Sequence, residues 1–350
     1  MDLTRFVASV GIVLHHSIEF FVPVADRPAL TDRTMGFALF VDLFFAISGF
    51  VIAYVYHDRA LSHRGYFLFL QRRVGRLVPL HWFTLALAIA VWAGFVILGY
   101  GGNHPPSFRL DCILDTAVLA HAFVPCGNNT FFNGVSWSIS AEMVMYVAAF
   151  PAIAFVAARY RWAPVAGLVV SAALLVWGNQ IDTLLWWVEL HPVVRALPSF
   201  CFGAALYYNR NWVAALPKPR MTFVVSMVAT FSMMMFGAPH LVTLLLAYLV
   251  VASAVAADLS GDPASFVRRY GPLGQLTYSI YMWHSIVILV LMNALGDKLL
   301  HAGPALMLVI GGLCYATIGI VSWFSYVALE NPARRWVDGF HLFGTKTAIT

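Results

Sequence analysis

The 350-residue chain is 61% hydrophobic and only 11% charged, which excludes an ordinary soluble enzyme and a disordered protein and makes it a polytopic membrane protein. A formal charge of +5 would direct a soluble chain toward anionic partners, but here the basic residues belong first to membrane-flanking loops, and no nucleic acid is expected as a partner. Four cysteines are too few for a disulfide scaffold and form no CxxC or metal-ligand cluster, so no metal is expected.

About ten apolar stretches are long enough, or nearly so, to cross a bilayer. The first, residues 3 to 22, carries Arg5, His15, His16 and Glu19 in an otherwise apolar helix. At about 1.5 Å and ~100° per residue, Arg5 and His16 fall three turns apart on nearly one face, roughly 16 Å from each other. Ionisable groups at membrane depth usually face a cavity or a partner, which makes this stretch a candidate site. The plainer alternative is a structural histidine with Arg5 as a cytoplasmic anchor. The run ends in bulky Phe20, Phe21 and Val22 rather than small residues, so no cleavable signal is expected.

The second stretch, 36 to 56, reads VDLFFAISGF around Asp42 and Ser48, six residues apart and therefore not on one face. Asp42 lies near the outer surface and needs a partner, His16 being one candidate, while Ser48 and Gly49 could equally serve helix packing. The segment FLFLQRRVGRLVPLHW follows, with Pro79 expected to open the third span, 80 to 100. Arg73 and Arg76, three apart, project from one face, and guanidinium forks bind phosphate oxygens bidentately. The segment therefore suits either a phosphorylated ligand or lipid headgroups.

A long outer loop, about 101 to 135, holds Cys112 and Cys126, which could pair in an oxidising compartment. The fourth span, 136 to 158, opens with GVSWSISAEMVMYV. Trp137 is placed at the outer interface, Ser138 and Glu142 share a face, and Ser140 lacks the GxSxG elbow of a serine nucleophile. Further spans are expected at 163 to 180, 193 to 208, 221 to 237, 239 to 257, 275 to 296 and 304 to 328. The stretches at 193 and 221 are short enough to be tilted or re-entrant. In the ninth, GQLTYSIYMWHSIVI brings His284 toward mid-membrane beside Tyr278, Tyr281 and Trp283. A lone histidine there can be structural or catalytic. Cys201 and Cys314 read as packing residues, and no internal repeat is visible.

With the N-terminus inside, five of the 21 Lys and Arg fall outside (Arg27, Arg33, Arg109, Arg195 and Lys298) and the other 16 inside. The fold expected is an all-α membrane helix bundle of about ten spans with both termini cytoplasmic. Residues 1–340 form its transmembrane domain and 341–350 a short tail. The arrangement places a phosphate-binding candidate inside, carboxylates near the outside and histidines between, which suits transfer of a group across the membrane.

Taken together and in order, Arg5 with His16 and Ala8, VDLFFAISGF, Arg73 with Arg76 and Pro79, WSISAE with Tyr146, LTYSIYMWH and ENPARRW resemble the acyltransferase 3 family over nearly the whole chain. That family O-acylates bacterial surface glycans and some small molecules. Two positions depart from its pattern: Phe40 stands where a glycine usually precedes Val41 and Asp42, and Met143 follows Glu142 in place of a second acidic residue.

The resemblance implies a bacterial inner-membrane enzyme. Its donor would be acetyl-CoA or another acyl-CoA, and its acceptor a carbohydrate or glycolipid hydroxyl at the outer side, with membrane lipid as the surrounding partner. His16 would act as general base or as acyl-carrying nucleophile, with Arg5, Asp42 and Glu142 assisting. Arg73 and Arg76 would hold the donor, and Trp137, Ser138, Tyr281 and His284 would contact substrate. The rival reading is a proton-coupled transporter or flippase, in which the same buried groups form a solute and proton pathway.

Overall fold

The computed structural model describes residues 1–100, 105–122, 126, 131–177, 192–260 and 270–340. Arg268, Arg269, Lys346 and the tail 341–350, assigned above to the cytoplasm, lie outside the described residues. Among those described, all regular structure is helical. The helices are α1 (Asp2–Ser17), α2 (Arg27–Thr34), α3 (Phe40–Ala60), α4 (His63–Ile97), α5 (Leu110–Ala117), α6 (Ser136–Val144), α7 (Phe150–Ala157) and α8 (Ala163–Trp177). They continue with α9 (Pro192–Tyr208), α10 (Arg210–Ala214), α11 (Pro219–Met235), α12 (His240–Leu259), α13 (Thr277–Ile288), α14 (Pro304–Ser325) and α15 (Asn331–Gly339).

Among the described residues, six helical runs are long and apolar enough to cross a membrane, and α8 and α11 are shorter apolar helices. The outward side chains of the peripheral helices are themselves apolar, among them Val169 on α8, Val225 on α11, Leu245 on α12 and Leu308 and Leu313 on α14. In water such a surface would be a liability; in a bilayer it is the lipid contact.

Close packing at the centre depends on two glycines. A β-carbon on Gly49 of α3 would meet the backbone of Phe200, and one on Gly203 of α9 would meet the carbonyl of Ala46, so the two helices touch backbone to backbone. Without a hydrophobic driving force between helices in lipid, such small-residue contacts supply the packing. The reading of Gly49 as a packing residue therefore holds.

Two expectations are corrected. The third span does not begin at Pro79: α4 runs unbroken from His63 to Ile97 with Pro79 inside it. A proline removes one helical N–H, which membrane helices tolerate inside a bundle; two residues earlier the Tyr278 hydroxyl donates to the Leu77 carbonyl at 2.6 Å and ties α13 to α4. The basic segment is thus the first part of a long helix rather than a loop.

Nor is 101–135 simply an outer loop. It contains α5, which lies back along α4 so that the His81 ring nitrogen sits 2.8 Å from the Thr116 carbonyl and the Trp82 indole donates to Ala117. His121, stacked with His81 and hydrogen-bonded to Ser136, is buried with them. Cys112 and Cys126 are joined in a disulfide, and Ser140 is held by Leu119 and Ala122, which makes it a structural hydroxyl.

Because the α3–α9 contact is made by backbone atoms, Gly203→Leu has no flexible neighbour to displace. It should destabilise the purified protein by about 3 kcal/mol or more, measured as a lowered unfolding midpoint in detergent.

Candidate functional site

Two adjoining cavities among the described residues hold the predicted site residues. The larger, about 550 Å³, is walled by α1, the start of α3, α4, α6, α9 and α13 and includes His15, His16, Glu19, Trp137, Arg195 and Tyr281. The smaller, about 90 Å³, is lined by Arg5, Ser48, Arg73, Arg76, Glu142 and Tyr146 among others. Val41 and Tyr281 belong to both linings and form the partition between them.

Helix α1 supplies the first pair of predicted residues, and they separate: Arg5 opens on the smaller cavity and His16 on the larger. Although it sits in the bundle, His16 is exposed, and the larger cavity supplies that exposure. Its ring lies 4.9 Å from His15 and 5.3 Å from His284, centroid to centroid, and His284 lies 5.6 Å from Tyr281. His284 is fully buried, with Nδ1 3.2 Å from the Ile280 carbonyl and Nε2 unpartnered. A carbonyl can only accept, so that contact assigns the proton to Nδ1 and leaves Nε2 a free acceptor. Tyr281 in turn shares a 2.7 Å hydrogen bond with Ser138. The sequence candidates Ser138, Tyr281, His284 and His16 therefore form one row running from the partition into the larger cavity.

Asp42 departs from expectation. Its partner is not His16 but Arg195, whose Nη2 donates to Oδ2 at 2.6 Å and to the Ala38 carbonyl at 2.9 Å. Both residues are 1% exposed. Arg195, which loop counting tallies on the outer side, is buried in α9 within the bundle. An apolar stretch that already includes an arginine carries the signal; the carboxylate that neutralises it lies on another helix and has no local trace. Trp137 is likewise not an interfacial anchor: it is 7% exposed, with the Arg195 guanidinium 5.2 Å above its ring. Sequestering that cation in a bundle requires both the carboxylate and the aromatic face.

Glu142 also moves. The sequence places it near the outer side with Asp42; in the structure it lines the smaller cavity together with Arg5, Arg73 and Arg76. It accepts from Ser48 at 2.7 Å and from Tyr146, which reaches it from the π-helical segment Met145–Ala149. Arg73 receives less than a full set of partners: Tyr56 accepts one hydrogen bond at 3.2 Å, and the guanidinium lies over the rings of Tyr56, Phe69 and Tyr146 at 5.1 to 5.9 Å. Arg76 has no carboxylate within 4.0 Å among the described residues. A cavity with three guanidiniums, Arg5, Arg73 and Arg76, and one carboxylate, Glu142, is suited to an anion. Among the described residues the one group of potential metal ligands is Asp111 with Cys112 and Cys126, and those two cysteines are in the disulfide.

The bundle thus holds a large chamber with an accessible imidazole beside a smaller cationic chamber. The chain belongs to the acyltransferase 3 family, described as an acyltransferase domain, which matches residues 1–326. It is thus a multi-pass membrane O-acyltransferase. It is 27% identical over 304 residues to the exopolysaccharide production protein ExoZ of Rhizobium meliloti (strain 1021), spanning 84% of this chain and 89% of that one. Protein 2 in picA locus of Rhizobium radiobacter is 32% identical over 160 residues, 41% of this chain and 76% of its own length. The acyltransferase MdmB of Streptomyces mycarofaciens is 22% identical over 368 residues, covering 95% and 90%. No solved structure matches.

Breaking the Asp42–Arg195 pair leaves one buried charge uncompensated, at a cost of about 3–5 kcal/mol, whereas replacing both by apolar side chains avoids it. Asp42→Leu and Arg195→Met should each lower the unfolding midpoint strongly, and the double variant should recover most of the loss. Additive losses in that double-mutant cycle would show that the pair is not coupled.

Proposed function

We propose that the protein transfers an acyl group, acetyl being the best candidate, from acyl-CoA on the cytosolic side to a hydroxyl of an exopolysaccharide or related glycan on the outer side of the bacterial inner membrane. The transmembrane domain would comprise residues 1–340, with both termini cytoplasmic. The observation that carries the reading is the adjoining pair of cavities, one lined by three arginines and a single carboxylate and the other by an accessible imidazole, with Tyr281 and Val41 between them. The resemblance to an exopolysaccharide production protein supports a glycan acceptor, and a Cys112–Cys126 bridge fits an oxidising outer compartment for the segment that holds it.

In this reading Arg73 and Arg76 bind donor phosphates, Arg5 orients the donor or offsets its charge, and the thioester reaches the partition beside Tyr281. His16 removes the proton from the acceptor hydroxyl as that oxygen attacks the thioester carbonyl. The C–S bond breaks, the acyl–oxygen bond forms, and the released thiolate takes up a proton. His284, 5.3 Å from His16 with a free Nε2, and Ser138 through Tyr281 hold this geometry. Glu142 fixes Tyr146 and Ser48 at the wall of the donor chamber. Asp42 acts through Arg195, and Trp137 and Tyr281 offer the acceptor aromatic surface.

Inverted membrane vesicles loaded with the host polysaccharide fraction and given labelled acetyl-CoA from outside provide the test. His16→Ala should lower transfer by about 100-fold or more, while Arg73→Ala with Arg76→Ala should raise the donor KM by at least about tenfold. Normal turnover in His16→Ala would refute its catalytic role. Movement of unmodified solute with no need for a thioester would favour a transporter instead.

A further inference from the structure

Helix α15 closes the helical run begun at Pro304 and packs back onto the first turns of α4. Three α4 residues hold it. The Gln71 amide donates to the carbonyls of Val337 and Phe340 at 2.7 and 2.8 Å, Arg72 pairs with Asp338 at 3.5 Å, and Gly75 meets the Val337 side chain so closely that a β-carbon would clash. This docking brings Arg334 to a third cavity, about 70 Å³, with Arg72, Arg73 and Arg76.

Arg73 and Arg76 line both this cavity and the Glu142 chamber, so the two are neighbours along one arginine-walled path. Arg72 and Arg334 belong only to its mouth. Asp338 offsets Arg72, and the Ser279 hydroxyl holds the buried Glu330. Arg334, like Arg76, has no carboxylate within 4.0 Å among the described residues. Four lining guanidiniums against one lining carboxylate, Asp338, leave the mouth cationic.

We propose that Arg334, with Arg72, forms a separate subsite for a phosphate monoester at the mouth of the donor path, and that it binds the ribose 3′-phosphate of the acyl-CoA. The inference rests on the donor assignment made under Proposed function. If the thioester end travels inward past Arg73 and Arg76, the nucleotide end stays at the mouth, where its outermost phosphate meets the outermost guanidiniums. A monoester dianion offers three acceptor oxygens to these forks. The subsite thereby selects a nucleotide-borne acyl group over one on a carrier protein, whose phosphopantetheine lacks that phosphate. The phosphate of an anionic lipid headgroup, a diester in phosphatidylglycerol, is the other anion these guanidiniums could hold.

The full-length protein in nanodiscs, with or without phosphatidylglycerol, separates these sources. Arg334→Ala should raise the KM for acetyl-CoA about tenfold and leave kcat and the KM for 3′-dephospho-acetyl-CoA unchanged. Direct binding of adenosine 3′,5′-bisphosphate, which requires no turnover, should weaken by a similar factor. Arg335→Ala, its exposed neighbour, should change neither. An equal KM rise for both donors, or an effect confined to phosphatidylglycerol membranes, would overturn the subsite, as would wild-type protein that does not bind the bisphosphate. Bisphosphate binding sensitive to Arg334 without any acyl transfer would retain the subsite while refuting the proposed reaction.

Discussion

The ion pair between Asp42 and Arg195 is the constraint on which the centre of this bundle rests. Two opposite charges with 1% exposure each cannot be left separately in an apolar interior, so α3 and α9 must hold them within hydrogen-bonding reach. Gly49 and Gly203 make that possible by letting the two backbones touch. The same guanidinium then covers Trp137 and ties α6 to the pair. One electrostatic requirement thus positions three of the helices that wall the larger cavity.

Two departures from regular α-helix lie at the cavities. Tyr146 reaches Glu142 from a π-helical segment, and Asn293, on the wall of the larger cavity, lies in another, Leu289–Leu299. The 3-10 turn Gly271–Leu276 leads into α13, and its Gly274 presses against the Asp2 backbone at the start of α1. Each irregularity shifts the register of side chains by a fraction of a turn, which a straight helix cannot do, and short π-segments are frequent at functional sites for that reason.

Charge is distributed between the chambers in a way that separates tasks. Guanidiniums collect in the smaller cavity and at its mouth, while the larger one holds the imidazoles of His15 and His16 and an arginine, Arg195, already neutralised by Asp42. Permanent cations suit a polyanionic donor; a ring that can take and return a proton suits a hydroxyl acceptor. Tyr281, common to both linings, is the side chain past which a transferred group would travel.

The amino-acid sequence alone was enough for the class of fold and the family, because lipid demands apolar length and punishes every stray charge, so Arg5, His16, Asp42, Glu142 and His284 stood out against 61% hydrophobic residues. It also marked Arg73 and Arg76 as a pair, since three-residue spacing is a local property of a helix. What it could not contain were partnerships between distant segments. Asp42 meets Arg195 across 153 residues and Ser48 meets Glu142 across 94, and Arg334 joins the arginines of α4 only through the docking of α15. Those pairings, the division of Arg5 from His16 and the passage of α4 through Pro79 depend on which helix faces are in contact, and only tertiary packing decides that.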